Sequence, residues 1–133
     1  MKIKVKAEIE QLQVIDEELD KLLAGQHCSE EVVSQLHLCI EEIFVNIASY
    51  AYGEQGGMAE IEMELEEQTL VIRFEDEGIP YNPLEREAPD MDAPVEEREI
   101  GGFGIYLVRM MMDKVEYERK ENRNCLCIRK QLN

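Results

Sequence analysis

The stretch IEMELEEQTLVIRFEDEG, residues 61–78, decides the fold. Ile61, Met63 and Leu65 alternate with Glu62, Glu64 and Glu66. After Glu67–Gln68 the alternation resumes, with Leu70, Ile72 and Phe74 set against Val71, Arg73 and Glu75. A period of two sends the two sets to opposite sides of an extended chain. The stretch therefore reads as two strands joined by a short turn, each with an apolar side and a wet side.

The pattern recurs at both ends of the chain. Ile3, Val5, Ala7 and Ile9 alternate with Lys2, Lys4, Lys6 and Glu8, and residues 114–120 and 124–131 alternate again around a turn at Glu121–Arg123. Between the strands the period changes. Leu12, Ile15, Leu19, Leu22 and Leu23 recur at helical spacing over residues 11–24, and Gly25 ends that helix. Ser29 is placed to cap a second helix, with Glu30 and Glu31 where the helix dipole favours them. That helix runs to about Tyr52 and stops at Gly53, and residues 103–113 form a third. Ile79 to Arg98 holds all four prolines and many acids, so it reads as a loop. The expectation is an α/β two-layer sandwich: a mixed, mostly antiparallel sheet covered on one face by three helices. Residues 1–133 are expected to form a single domain, with a lid at approximately 79–100.

Composition narrows the function. The chain has 30 acidic against 14 basic side chains, a net charge of -16, which disfavours nucleic acid and anionic membranes as partners. Any bound phosphate must be met by backbone N–H groups, a metal ion and few cations. The N-terminus lacks the apolar core of a signal peptide, and no stretch approaches the about 18 apolar residues of a membrane span. Cys28, Cys39, Cys125 and Cys127 form neither a redox pair nor a zinc knuckle and read as reduced thiols, consistent with a cytoplasmic protein. His27 and His37 form no ligand set with them and read as ordinary histidines.

Three features stand where plain packing would not put them. On the second helix, Glu42, Asn46 and Tyr50 fall at i, i+4 and i+8, along the edge of the apolar stripe Val33, Leu36, Ile40, Ile43, Ile47 and Ala51. A carboxylate one turn from an amide could serve as a base beside a metal-ligating oxygen; it could equally be a solvated helix edge. Asp76 continues the buried series Leu70, Ile72, Phe74, and Gly78 follows it. A carboxylate on that face needs a partner, and an acceptor at a sheet end suits an exocyclic amine; the alternative is that the strand has ended. Lastly, GGFG at 101–104 opens a helix. Clustered N–H donors and the dipole favour an anion there, and a lid hinge would look the same. Neither a P-loop nor a dinucleotide fingerprint is present.

In order, these three resemble the nucleotide-binding fold shared by gyrase-type ATPases, Hsp90, histidine kinases and MutL. The similarity is greatest to the small bacterial anti-sigma factor serine kinases. The segments that carry it are EEIFVNIASYAY (41–52), EDEGIPYNPLE (75–85) and EEREIGGFGIYLVRMMMDKVEYERKENRNCLCIRK (96–130). The resemblance implies roles for particular positions. Glu42 matches the catalytic base toward a serine hydroxyl, and Asn46 the Mg²⁺-binding asparagine. Asp76 matches the aspartate that bonds the adenine amine, with Gly78 beside it. Gly101, Gly102 and Gly104 lie in the phosphate-binding segment. Arg98, the lid cation nearest those glycines, is the γ-phosphate contact that both the resemblance and the electrostatics favour.

The resemblance thus implies an ATP- and Mg²⁺-dependent serine-protein kinase. Its partners would be an antagonist protein and a sigma factor, and residues 1–9 could pair two copies into a homodimer. The alternative is a nucleotide-dependent binding switch of the same fold without kinase activity. Two departures bear on that choice. Tyr50 stands where many relatives have histidine, and tyrosine does not take up a proton near neutral pH. The lid acids Asp92, Glu96, Glu97 and Glu99 would also repel a triphosphate unless they point to water.

Overall fold

The computed structural model describes residues 1–85 and 102–133, with the backbone alone for 102–104. Five strands form one sheet in the order β1-β2-β3-β5-β4. They are β1 (Lys2–Lys6), β2 (Met58–Glu66), β3 (Thr69–Asp76), β4 (Lys114–Lys120) and β5 (Arg123–Gln131). Every pairing among the described residues is antiparallel. Three helices cover one face: α1 (Leu12–Leu23), α2 (Glu30–Asn46) and α3 (Gly102–Met111). The two-layer sandwich expected from the alternation is the observed architecture.

The pleat sorts the residues as their polarity requires. Ile61, Met63, Leu70, Ile72 and Phe74 turn to the helices and are almost wholly buried. Ile15 and Leu19 of α1, and Leu36, Ile40 and Phe44 of α2, fill the other side. The far face of the sheet is laced with ion pairs. Arg73 meets Glu62 at 3.0 Å, Arg123 meets Glu60 at 3.2 Å and Arg129 meets Glu66 at 3.2 Å. Partly exposed pairs of this kind stabilise by on the order of 1 kcal/mol or less each; their use is to neutralise a column of glutamates in mid-sheet.

Local signals set the boundaries. Ser29 caps α2, its Oγ accepting from the Val32 N–H at 3.1 Å. Glu67 sits at φ 60° in the turn between β2 and β3, and Glu121 and Asn122 at 53° and 64° in the turn between β4 and β5. Positive φ at both central residues of the β4–β5 turn matches the twist of a tight hairpin.

Two features differ from the sequence expectation. The second helix does not stay α-helical to its end, because Ile47–Ala51 forms a π-helical turn. Glu30–Ala51 is also, by length and composition, apolar enough to cross a membrane. Here its apolar face closes over the core, with Leu36, Cys39, Ile40, Ile43 and Phe44 buried.

Candidate functional site

The strand that decides the fold also delivers the first site residue. Asp76 is the last residue of β3 and is 5% exposed, so the series Leu70, Ile72, Phe74, Asp76 keeps one face to its end. A buried carboxylate requires donors, and Asp76 has two on one oxygen. The Gly78 N–H donates to Oδ1 at 2.9 Å, and the Asn124 Nδ2 donates to the same atom at 2.9 Å.

Asn124 is the residue that sequence reasoning missed. It lies on β5 as the direct cross-strand partner of Asp76 and is 7% exposed. Its Nδ2 also donates to the Ile79 carbonyl at 2.8 Å. Its Oδ1 accepts from the Tyr117 hydroxyl at 2.5 Å and from the Tyr81 N–H at 3.3 Å. The sequence does hold a signal: Asn124 stands in register with Leu126 and Ile128, both buried. A polar residue in an apolar series carries the same meaning here as at Asp76.

Asn46 comes to the same place from the helical layer. It is the last residue of α2, and with Tyr50 it lines a cleft completed by Asp76, Tyr81, Tyr117 and Asn124. The remaining walls include Ile43, Ile47, Ala51 and Phe74. Three tyrosines and aliphatic walls around one buried carboxylate suit a flat heteroaromatic ring carrying an amine. The cavity is only about 50 Å³, well below the ~300 Å³ of small ligand sites, so a ring must displace side chains at the rim. Tyr50, 44% exposed, and the half-buried Tyr81 stand there.

Glu42 lies one turn before Asn46 on the same helix edge, half-buried and outside the lining of the cleft. Burial pushes its carboxyl above the usual range, and the neighbouring Glu41 charge adds to the rise. Gly78 is pressed against Ala51, where a Cβ would meet the carbonyl oxygen at 2.1 Å. Its glycine requirement thus has a packing cause within the chain itself. Gly102 and Gly104 belong to the first turn of α3. Gly101, Arg98 and the lid acids Asp92, Glu96, Glu97 and Glu99 lie outside the described residues. The structure therefore brings Asn46 and Asp76 into one cleft, sets Gly78 beside Asp76 through its N–H, and places Glu42 one turn away from Asn46.

No group of three or more His, Cys, Asp or Glu among the described residues is set to hold a metal. A lone amide such as Asn46 fits Mg²⁺, which keeps few protein ligands and fills the rest with water and phosphate oxygens. Two of the thiols offer no competing chemistry: burial raises Cys39 and Cys125 to about 11, leaving them protonated and inert.

A histidine-kinase-like ATPase fold is what this sheet, its three-helix cover and the cleft between them define. The chain belongs to that family: residues 5–130 match the histidine kinase-like ATPase domain. Among its relatives is the serine-protein kinase RsbW of Bacillus cereus (strain ATCC 10987), 31% identical over 98 residues, which are 71% of this chain and 61% of that protein. Another is the serine/threonine-protein kinase BtrW of Bordetella bronchiseptica, 28% identical over 95 residues, 70% of this chain and 66% of that protein. The matched region thus spans about three fifths of the RsbW relative's length. In fold, the chain is similar to a Mycobacterium tuberculosis structure of RsbU and RsbW domains, with TM-score 0.64, 10% identity, and coverage of 99% of this chain and 32% of that one. It is also similar to the Acinetobacter baumannii histidine kinase AdeS, with TM-score 0.57, 12% identity, and coverage of 98% of this chain and 68% of that one.

Proposed function

We propose that the chain is an ATP-binding anti-sigma regulatory factor that phosphorylates a serine of an antagonist protein. The observation that carries this reading is the meeting of Asn46, from the end of α2, and Asp76, from the end of β3, in one cleft. Residues 1–133 would work as one ATP-binding domain in the bacterial cytoplasm, with residues of about 79–100 as its lid.

The parts divide the work by position. Asp76 accepts a hydrogen bond from the base amine, and the aliphatic walls exclude water around the ring. The Asn46 amide oxygen would ligate Mg²⁺, which supplies positive charge that this acidic chain lacks. Gly101, together with Gly102 and Gly104 of the first turn of α3, would offer N–H groups to the phosphates, and Arg98 would add one cation. Glu42 takes the proton of the attacking serine hydroxyl, and its raised pKa suits a base working closer to neutral pH. A sigma factor is the second partner in this reading.

Tyr50 at the cleft mouth favours a second reading, a nucleotide-dependent binding switch without transfer, because no titrating imidazole stands there. Calorimetric titration of ATP, with and without Mg²⁺, tests both at once. Mg²⁺-dependent binding that Asn46→Ala loses supports the site. Labelled phosphate appearing on the antagonist, and absent with Glu42→Ala, selects the kinase; binding without transfer selects the switch. A wild type that binds no ATP overturns both.

A further inference from the structure

We propose that Asn124 is the positioning residue of the base subsite: its amide decides which oxygen of Asp76 reads the ring, and ties that choice to the chain leaving β3. The proposal rests on the nucleotide reading and goes beyond it in naming what orients the carboxylate.

Asp76 and Asn124 are the two buried polar side chains among the described residues, and they face each other across β3 and β5. The amide of Asn124 can make four hydrogen bonds, and all four are made. Nδ2 donates to Asp76 Oδ1 and to the Ile79 carbonyl; Oδ1 accepts from the Tyr117 hydroxyl and the Tyr81 N–H. A reversed amide would set its oxygen against the Asp76 carboxylate and the Ile79 carbonyl, so the orientation is fixed. With the Gly78 N–H, Asn124 loads Oδ1 with two donors. No described residue donates to Oδ2, which leaves that oxygen as the acceptor for a ligand in the cleft. A fixed acceptor favours a 6-amino ring over a 6-oxo ring, whose oxygen would face the carboxylate with no proton between them.

The same amide holds the cleft rim. Ile79 and Tyr81 flank Pro80 shortly after β3, and both are bonded to Asn124 through their backbones. One side chain therefore holds both the recognising carboxylate and the start of the segment that leads toward the lid.

The test compares ATP with inosine triphosphate, each with Mg²⁺, by calorimetry on the wild type, Asn124→Leu and Tyr117→Phe, with thermal unfolding run alongside. Leucine keeps the number and branching of the side-chain heavy atoms and removes the amide. A hydrogen bond to a charged group of about 1.5–3 kcal/mol corresponds to roughly tenfold or more in affinity, so Asn124→Leu should lower the preference for ATP about tenfold. Tyr117→Phe, which removes one bond from Asn124 and keeps the ring, should lower it several-fold. Equal weakening of both nucleotides in a folded Asn124→Leu protein would overturn the proposal, because a purely structural role has no reason to tell the two rings apart. If Asn124→Leu does not fold, an unchanged preference in Tyr117→Phe overturns it and a reduced one supports it. A wild type that binds neither nucleotide removes the nucleotide reading first, and this inference with it.

Discussion

Gly78 lies flush against Ala51. A Cβ built on Gly78 would stand 2.1 Å from the Ala51 carbonyl oxygen, 2.6 Å from its carbonyl carbon and 2.7 Å from its Cβ. The Ile79 N–H donates to that same oxygen at 3.0 Å. The end of β3, which carries Asp76, is thereby stitched to the π-helical end of the helix that carries Asn46. Backbone cannot swing aside as a side chain can, so Gly78→Ala must push the two elements apart. Overpacking of this kind costs about 1–3 kcal/mol. For a domain of this size the midpoint of thermal unfolding should fall by roughly 3–15 °C, with weaker ATP binding. An unchanged midpoint would show that the contact yields easily.

Tyr52 braces the same junction from the other side. Its hydroxyl donates to the Met58 carbonyl at 2.6 Å and accepts from the Glu77 N–H at 2.8 Å. Its ring leaves no room for a side chain at Gly57, where a Cβ would come within 2.3 Å. Tyr52→Phe keeps the ring and removes both bonds, for a loss of about 1–3 kcal/mol. In urea the midpoint should drop while the slope stays the same. A midpoint equal to that of the wild type would mean that water replaces the hydroxyl without loss.

Much of this fold is legible in the sequence for a simple reason: strands with one dry face announce themselves by period. The alternation from Ile61 to Asp76 yields the hairpin and the buried carboxylate together. Ser29 announces its cap because its side-chain oxygen has few better uses at that position. The features that stay hidden depend on tertiary contact. The π-helical turn at Ile47–Ala51 has no period of its own in five residues. The order β1-β2-β3-β5-β4 puts the last strand inside the sheet, and no local pattern encodes that. Asn124 is readable by the logic applied to Asp76, but its four partners come from β3, β4 and the segment after β3. His37 looks ordinary in the sequence; the structure makes it a bridge between helices, because Asp16 and Asp20 lie one turn apart on α1.

Glu42 sets the pH dependence of transfer if it is the base. Burial raises its pKa above the ordinary carboxylate value, and Glu41 raises it further. The base form is the ionised one, so phosphoryl transfer should fall as pH drops through that raised pKa. Glu41→Gln removes a repelling charge, so the acid limb of the rate profile should move to lower pH. Glu42→Gln should cost roughly 10²–10⁴-fold in transfer with ATP affinity little changed. Single-turnover transfer of labelled phosphate across the acid range reads both variants, and an acid limb that Glu41→Gln leaves in place would remove Glu42 from the role.

His37 fastens α2 to α1 and should make stability depend on pH in the opposite sense from a carboxylate. Its Nδ1 lies 2.8 Å from Asp16 Oδ1 and its Nε2 lies 2.8 Å from Asp20 Oδ1. Partial burial alone would lower its pKa, but the bonds and charges of the two aspartates outweigh that and raise it. A raised folded-state pKa means that the folded chain holds the proton more tightly than the unfolded one. The stabilisation is complete below the unfolded value of about 6.5 and is lost as pH rises through the folded value. The pair is partly exposed, so the gain is at most about 1 kcal/mol. His37→Gln should therefore lower the unfolding midpoint by more at about pH 5.5 than at about pH 8.5. Equal losses at the two pH values would mean that the imidazole packs between the helices without its charge mattering.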